Sequence, residues 1–286
     1  MNNKSPYYWI FIGPALMALI LVLFVPLFMG AYFSLTDWNG QVVNQFIGFQ
    51  NYSRLLSDTS FINSIWFTAR FTVVSLILIN VCGLLLALLL TRKSSLTTPM
   101  RTVFFMPNLI GGIILGFIWQ FVFLRSFEAV AELTGFSFFS GWLSTPATAF
   151  WGLIILYVWQ MSGYIMIIYI SFLNNIPEEI LEAGTIDGAN ASQIFWKIKF
   201  PMLAPGFTVS LFLTLSGALK VYDQNMALTG GGPFNSSQMV EMNIFNTAFR
   251  SNQMAYAQSQ AIVFLLIVVV ISVVQLQITR KREVSL

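Results

Sequence analysis

The sequence predicts an all-α integral membrane protein, and three observations support this fold class. Hydrophobic residues fill 57% of the 286 positions and charged residues only 9%, which is far outside the composition of soluble globular domains. The apolar residues form six long runs separated by polar segments. The basic residues lie at the ends of these runs and form no cluster interleaved with aromatic residues. The net charge of +3 is therefore expected to orient the chain in a membrane and not to bind nucleic acid.

Each of the six runs is long enough to cross a bilayer as a helix, since about 20 residues at about 1.5 Å per residue span about 30 Å of hydrocarbon. The predicted spans are residues 8–33, 63–91, 103–123, 149–173, 201–222 and 256–278, all within one transmembrane domain of residues 1–286. The first run exceeds the apolar stretch of about 7–15 residues in a signal peptide, so we expect it to remain as an uncleaved span.

Lysine and arginine positions predict the orientation of the spans. One side carries Lys4, Arg92, Lys93, Arg101, Lys197, Lys199, Arg280, Lys281 and Arg282, and the other carries Arg54, Arg70, Arg125, Lys220 and Arg250. Cytoplasmic loops carry the excess of basic residues. Both termini and the loop of residues 174–200 are therefore predicted to be cytoplasmic, in a multi-pass protein of the cytoplasmic (inner) membrane.

The composition also excludes most enzyme classes. The chain has no histidine and a single cysteine, Cys82, which lies inside an apolar run. Zinc sites, haem ligands and histidine-based triads need side chains that are missing here. We therefore predict no catalytic residues and no metal site.

Residues 178–201 form the longest charged, amphipathic interruption between the apolar runs. Pro177 suits the start of a helix, and acidic residues in the first turn suit the positive end of the helix dipole. One face of this helix would carry Ile180, Leu181 and Gly184, and the other mainly Glu178, Glu179 and Glu182. Asp187 and Gly188 predict a turn, because glycine accepts positive φ. A second short helix should follow, and Pro201 can start the next span.

The spacing within this segment resembles a known family. The segment contains Glu182-Ala183-Gly184, then three residues, Gly188, nine residues and Ile198-Lys199-Phe200-Pro201. This arrangement is similar to the EAA loop of permease subunits in binding-protein-dependent ABC importers. The family pattern is EAA, three, G, nine, I-x-L-P, so Gly184 stands for a small alanine and Phe200 for leucine. The resemblance implies that an ATPase is coupled through Glu182, Ala183, Gly184, Asp187, Gly188, Ile198 and Pro201.

A second resemblance lies after the fifth span. The residues there are Tyr222-Asp223 and then Leu228-Thr229-Gly230-Gly231-Gly232-Pro233. They resemble a pattern found in the carbohydrate-uptake branch of these permeases, whose members import maltose, multiple sugars and glycerol phosphate. No Lys-Ser/Thr follows the glycines, which excludes a phosphate loop. The resemblance suggests a gate or binding-protein contact at Tyr222, Asp223, Thr229, Gly231, Gly232 and Pro233, while a mobile loop end remains the alternative.

Polar side chains inside the spans are candidates for a substrate path. Tyr157, Gln160, Tyr164 and Ser171 recur on one face of the fourth span, and aromatic faces with amide and hydroxyl groups suit uncharged sugars. Asn108 and Gln120 are weaker candidates. Hydrogen bonding between helices is the alternative for all of them. Lys220 and Asp223 are three residues apart and could pair if one helix carries both. Gly112 and Gly116 leave room for a close helix neighbour.

The two resemblances together imply a transport subunit and not an enzyme. The implied partners are a second homologous permease, two cytosolic ATPase subunits and an extracytoplasmic binding protein, with membrane lipid around the spans. ATP and Mg would bind to the ATPases, and no cofactor is expected on this chain. The expected cargo is a sugar or oligosaccharide. Glycerol phosphate or another polyol remains open, as does a self-sufficient ion-coupled carrier, although few acidic residues lie within the spans.

Overall fold

A computed structural model describes residues 6–43, 45–91 and 94–280, with side chains from residue 11 onward. Helices account for most of these residues, which confirms the all-α prediction. Five of the basic residues that predicted the orientation lie outside the described residues: Lys4, Arg92, Lys93, Lys281 and Arg282.

Most helices follow one another with short connections, and the longest connections are residues 35–49, 135–145 and 229–239. The first half contains α1 (Pro6–Leu19), α2 (Val25–Ser34), α3 (Gln50–Leu55), α4 (Thr59–Leu90), α5 (Thr97–Phe105), α6 (Gly112–Phe121) and α7 (Phe127–Thr134). The second half contains α8 (Pro146–Asn174), α9 (Glu178–Ile186), α10 (Ala191–Ile194), α11 (Phe200–Met202), α12 (Ala204–Leu219), α13 (Asp223–Leu228), α14 (Val240–Phe245) and α15 (Met254–Arg280). Wider π-type turns join α1 to α2, α6 to α7 and α10 to α11.

Five helical stretches of the described residues are long and apolar enough to cross a membrane. They are Phe11–Ser34, Thr59–Leu90, Gly112–Thr134, Pro146–Asn174 and Met254–Arg280. A sixth candidate is the pair Ala191–Met202 and Ala204–Leu219, whose axes differ by 62°. Chain length and composition therefore allow five or six crossings.

The third and fifth apolar helices begin later than the sequence predicts. The expected starts are residues 103 and 201, whereas the helices start at Gly112 and Ala204. Pro107 lies in a tight turn between α5 and α6, and Pro205 lies in the first turn of α12. A proline has no amide hydrogen and its ring crowds the preceding turn, so helices tend to restart at these positions.

Contacts divide the chain into two compact units. The smaller comprises Met1–Ile62 and Asn243–Leu266, and the larger comprises Asn63–Met242 and Ile267–Leu286. In the smaller unit, the Tyr256 hydroxyl donates to Asp58 Oδ2 at 2.6 Å, and the Arg54 guanidinium lies 4.0 Å from the centre of the Tyr256 ring. These contacts tie the start of α15 to the segment before α4.

The core of the larger unit is built around α8. This helix starts with a capping box, in which Thr145 Oγ1 accepts from the Thr148 amide and Thr148 Oγ1 accepts from the Thr145 amide. Hydrogen bonds then join α8 to α4 and α4 to α12. The Tyr169 hydroxyl donates to Asn80 Oδ1 at 2.8 Å, and Asn80 Nδ2 donates to Thr214 Oγ1 at 3.4 Å. Buried polar side chains therefore link α4, α8 and α12 inside an apolar core.

Candidate functional site

The 178–201 segment has the two-faced first helix that the sequence predicts. In α9, Ile180, Leu181 and Gly184 are half-buried, whereas Glu178, Glu179 and Glu182 are exposed. Leu181 packs against the core of the larger unit. The carboxylates of α9 therefore point away from the apolar contacts that hold the helix.

Gly188 ends α9 in a left-handed conformation, as its sequence context predicts. Its φ is +78°, its amide donates to Thr185 O at 3.0 Å, and the next amide, of Ala189, donates to Gly184 O at 3.0 Å. This pair of bonds is the Schellman arrangement, which satisfies the last carbonyl groups of a helix. A Cβ on Gly188 would meet no atom within 4 Å, so the requirement for glycine here is conformational and not steric.

Two further contacts fix the second half of the segment. A Cβ on Gly184 would lie 2.7 Å from Ile198 Cδ1, so the small residue lets α9 approach the turn that contains Ile198. Asn190 Oδ1 accepts from the Gln193 amide and Gln193 Oε1 accepts from the Asn190 amide, each at 2.9 Å. This capping box starts α10. Sequence reasoning missed it, although N-x-x-Q before an apolar stripe is its signature.

The remaining candidate residues of this segment face outward. Glu182, Ala183, Asp187 and Pro201 are all exposed. Three large apolar side chains of the same segment are also exposed, Ile186 to 85%, Trp196 to 59% and Phe200 to 36%. The surface of the segment thus combines carboxylates with apolar side chains that nothing in the described chain covers, a combination typical of protein contacts.

Gly112 and Gly116 allow α6 to pack closely on α13, which confirms the predicted close approach and identifies the neighbour. A Cβ on Gly112 would lie 2.7 Å from the Asp223 Cβ, and a Cβ on Gly116 would lie 2.5 Å from the Ala227 Cβ. The Gln120 side chain of α6 donates from Nε2 to Leu228 O at 3.1 Å. Helix α6 therefore holds the helix that leads directly into the 228–233 glycine loop.

The glycine loop folds around a buried amide that sequence reasoning missed. Asn225 is fully buried, and its Nδ2 donates to Ser237 O at 2.8 Å and to Thr229 Oγ1 at 3.0 Å. Its Oδ1 accepts from the Met239 amide at 3.1 Å. The Ser237 hydroxyl adds a bond to Thr229 Oγ1 at 2.9 Å. The loop is thus a hydrogen-bonded turn in which Thr229 is a central acceptor and donor.

The candidate residues of this loop differ in exposure. Gly231 is buried, Tyr222, Thr229, Gly232 and Pro233 are half-buried, and Asp223 is exposed. Gly231 has a φ of +84°, and a Cβ there would lie 3.4 Å from Gln238 Cβ and from Met242 Cε. Gly230 has a φ of +57° but is exposed, with its nearest neighbouring atom at 3.9 Å. Within the glycine loop, Gly231 is the glycine that combines positive φ with neighbouring side chains in contact distance.

The stripe on α8 is buried at one end and exposed at the other. Tyr157 and Gln160 are buried, Tyr164 is half-buried and Ser171 is exposed. The Tyr157 ring lies 5.4 Å from that of Phe71, and Gln160 Oε1 accepts from Gln224 Nε2 at 2.8 Å. The first half of the stripe is thus engaged in contacts between helices. Its role in a substrate path stays a prediction.

Tyr164 and Asn108 lie beside the turn that precedes α6. The Tyr164 ring centre is 6.5 Å from that of Phe105, and Asn108 Nδ2 donates to Met161 Sδ at 3.3 Å. Gln160 Nε2 also reaches Ile110 O at 3.4 Å. Gln160, Met161 and Tyr164 of α8 therefore pack against the end of α5 and the irregular stretch of backbone that follows it.

The charged residues after α12 are arranged differently from the prediction. Lys220 and Asp223 do not share a helix, because α12 ends at Leu219 and α13 begins at Asp223. A third charge, Glu241, lies near both, and sequence reasoning missed it. Burial raises the pKa of the Glu241 carboxyl above its usual range, the Lys220 charge opposes this shift, and the Asp223 charge adds to it. Among the described residues, no acidic, cysteine or histidine side chains converge as a metal site.

The fold and the 178–201 segment define a helical, multi-pass membrane protein with a short helix pair inserted between two spans. Residues 79–284 match the family described as the inner membrane component of binding-protein-dependent transport systems. The starch degradation products transport system permease protein AmyD of Thermoanaerobacterium thermosulfurigenes, described as probable, is 50% identical over 282 residues, which cover 98% of this chain and 96% of the relative. The multiple sugar-binding transport system permease protein MsmF of Streptococcus mutans is 34% identical, with 96% of each chain covered.

A solved structure has the same fold. The crystal structure of a bacterial ABC transporter involved in the import of the acidic polysaccharide alginate contains a chain that matches with a TM-score of 0.85 and 19% identity, over 98% of this chain and 96% of that chain. The present chain therefore belongs to the family of inner membrane components of binding-protein-dependent transport systems. It is a transport component and not an enzyme.

Proposed function

We propose that this chain is one of two permease subunits of an ATP-driven importer for a sugar or oligosaccharide, with both termini and the 178–201 segment in the cytoplasm. The observation that carries the cargo class is the 50% identity over 98% of the chain to a permease for starch degradation products. The trehalose/maltose permease protein MalF of Thermococcus litoralis, 32% identical over 83% of this chain, supports the same class.

Energy coupling is assigned to the 178–201 segment. Glu182, Ile186 and Trp196 are exposed on a segment that is anchored on its other face through Leu181. Such a segment can transmit a push from a docked subunit to the spans, because the Gly188 turn and the Asn190 cap fix its two helices. Two ATPase subunits would supply that push. They would bind the ATP and Mg, which this chain is not proposed to hold.

Substrate delivery is assigned to an extracytoplasmic binding protein that docks near the glycine loop. A solved relative of the same fold is a bacterial alginate ABC transporter in complex with a periplasmic protein that holds an alginate pentasaccharide. In this chain, the hydrogen bonds of Asn225 and Thr229 give the loop a defined shape that a docked protein can recognise.

Reconstitution tests the proposed function. The complex purified through a tag on this chain should take up malto-oligosaccharides into vesicles only when ATP and the binding protein are present. ATP-dependent uptake of glycerol phosphate alone would replace the proposed cargo. Uptake by this chain alone under an ion gradient would overturn the ATP-driven mechanism.

Tyr164→Ala is expected to raise the half-saturating substrate concentration or slow uptake several-fold without loss of assembly. The ring is half-buried beside Phe105 at the edge of the core, so its removal leaves the fully buried core side chains in place. Tyr164→Phe keeps the ring and should behave as wild type if stacking on sugar is the role. Uptake kinetics of the reconstituted complex distinguish these cases. Unchanged uptake by Tyr164→Ala would assign the side chain to packing.

Gly231→Val is expected to weaken the stimulation of ATP hydrolysis by the binding protein while basal hydrolysis continues. The valine must adopt positive φ and contact Gln238 and Met242, which distorts the glycine loop. Gly230→Asn is the matched control, because asparagine tolerates positive φ and Gly230 is exposed. Stimulation equal to wild type in Gly231→Val would make the loop a simple connector.

A further inference from the structure

A groove of about 400 Å³ lies in the larger unit between α4, α12 and α15. Its walls are Leu76, Leu215, Val270, Ile271, Val274, Gln275, Ile278 and Thr279. Most of these side chains are aliphatic, and all three helices belong to candidate spans. The groove therefore lies at membrane depth and opens on a surface that the described residues leave uncovered.

The polarity of the groove changes along α15. Leu76, Leu215 and Val270 form an aliphatic part, whereas Gln275 and Thr279 lie about one and a half and two and a half turns after Val270 on α15. Gln275 Nε2 donates to Thr279 Oγ1 at 3.3 Å. The Gln275 Oε1 atom is buried and has no hydrogen-bond partner among the described residues. The polar end of the groove is thus one amide and one hydroxyl that are bonded to each other.

Positive charge follows immediately after this polar end. Arg280 is exposed at the last position of α15, about 7.5 Å of helix rise beyond Gln275. In the sequence Lys281 and Arg282 come next, before Glu283. Along α15 the order is thus aliphatic, then an amide and a hydroxyl with Ile278 between them, then cationic. This follows the order of acyl chain, glycerol ester and phosphate in a phospholipid.

We propose that this groove is a binding site for an anionic glycerophospholipid, with an acyl chain against Val270 and Val274 and the phosphate beside Arg280. The aliphatic walls position the lipid but give little preference for it, because bulk lipid tails are as apolar as the groove. Selection comes from the Arg280 charge, since basic residues next to a membrane surface attract anionic headgroups. A zwitterionic lipid fits the walls equally and lacks the net charge.

Native mass spectrometry tests the site without any transport measurement. The complex is purified through the tagged chain from vesicles that contain equal amounts of phosphatidylglycerol and phosphatidylcholine. Wild type should retain phosphatidylglycerol in preference. Arg280→Gln should lower that preference about fivefold, which corresponds to about 1 kcal/mol at 1.4 kcal/mol per tenfold. Arg280→Lys should keep it.

Tryptophan substitutions on α15 give the steric control. Val274→Trp fills the groove and should abolish retention of both lipids. The neighbouring Val273 is exposed and is not a wall residue, so Val273→Trp should retain lipid as wild type does. Equal retention of the two lipids by wild type would overturn the proposal, as would normal retention by Val274→Trp or a protein segment seen in the groove of the assembled complex. The Arg280→Gln comparison remains decisive if Val274→Trp does not fold.

Discussion

Gly163→Ala is expected to prevent stable folding of the larger unit. A Cβ at this position of α8 would lie 1.8 Å from the carbonyl oxygen of Phe104 and 2.9 Å from the amide nitrogen of Phe105. Both are backbone atoms, so no side-chain rotation can relieve the overlap, and α5 must move away from α8. Overpacking a core commonly costs about 1–3 kcal/mol, and a forced separation of two backbones should lie at or above that range.

The measurement is the thermal unfolding of the purified chain together with its amount in the membrane. Two glycines provide a graded comparison. A Cβ at Gly83 would lie 2.8 Å from the Ile165 Cγ2 methyl group, which can shift, so Gly83→Ala should be intermediate. A Cβ at Gly13 would meet no atom within 4 Å, so Gly13→Ala should be neutral or slightly stabilising. Wild-type unfolding of Gly163→Ala would contradict the close contact between α5 and α8.

Gly163 shows where sequence reasoning stops in this fold. Long apolar runs predict spans because the requirement for about 20 apolar residues is local to each segment. The same is true of the Gly188 turn and of the two faces of α9, whose periodicity and turn residues are all contained in the 178–201 segment. The contact of Gly163 with Phe104 joins positions far apart in the chain, and nothing at either position indicates the other.

The same distinction applies to the candidate site. The spacing from Glu182 to Pro201 identifies the family segment because the pattern is contiguous. Asn225 and Ser237 organise the glycine loop through a hydrogen bond between residues twelve positions apart. The sequence around Asn225 does not indicate which partner its side chain will bind. The third and fifth helices begin later than predicted because hydrophobicity continues across the backbone breaks at residues 106–111 and at Leu203, where the regular helix is interrupted. Composition therefore locates the spans, whereas the positions at which the backbone leaves the helix are seen only in the structure.

Glu182→Lys is expected to reduce transport at least roughly tenfold, the factor that 1.4 kcal/mol of lost docking energy would give. The carboxylate is exposed on α9 and is not needed for membrane anchoring, so a basic group on a docked ATPase is the partner that we propose for it. Charge reversal would place like charges together, and the ATPase should copurify less. Glu132→Lys, an exposed glutamate of α7 on the side predicted to face away from the ATPase, is the matched control.

Gly188→Val is expected to uncouple transport by a different route, because the defect is in the shape of the segment. A valine must adopt the left-handed conformation at a cost of about 1–2 kcal/mol, or else release the Schellman bonds and reorient α10. Gly188→Asn should retain transport, since asparagine accepts this conformation and its side chain meets open space. The readouts are ATPase copurification and substrate-stimulated hydrolysis. Equal loss of coupling in the valine and asparagine variants would indicate that any side chain at this position obstructs the docked ATPase. Normal coupling in both variants would exclude the turn from the coupling mechanism.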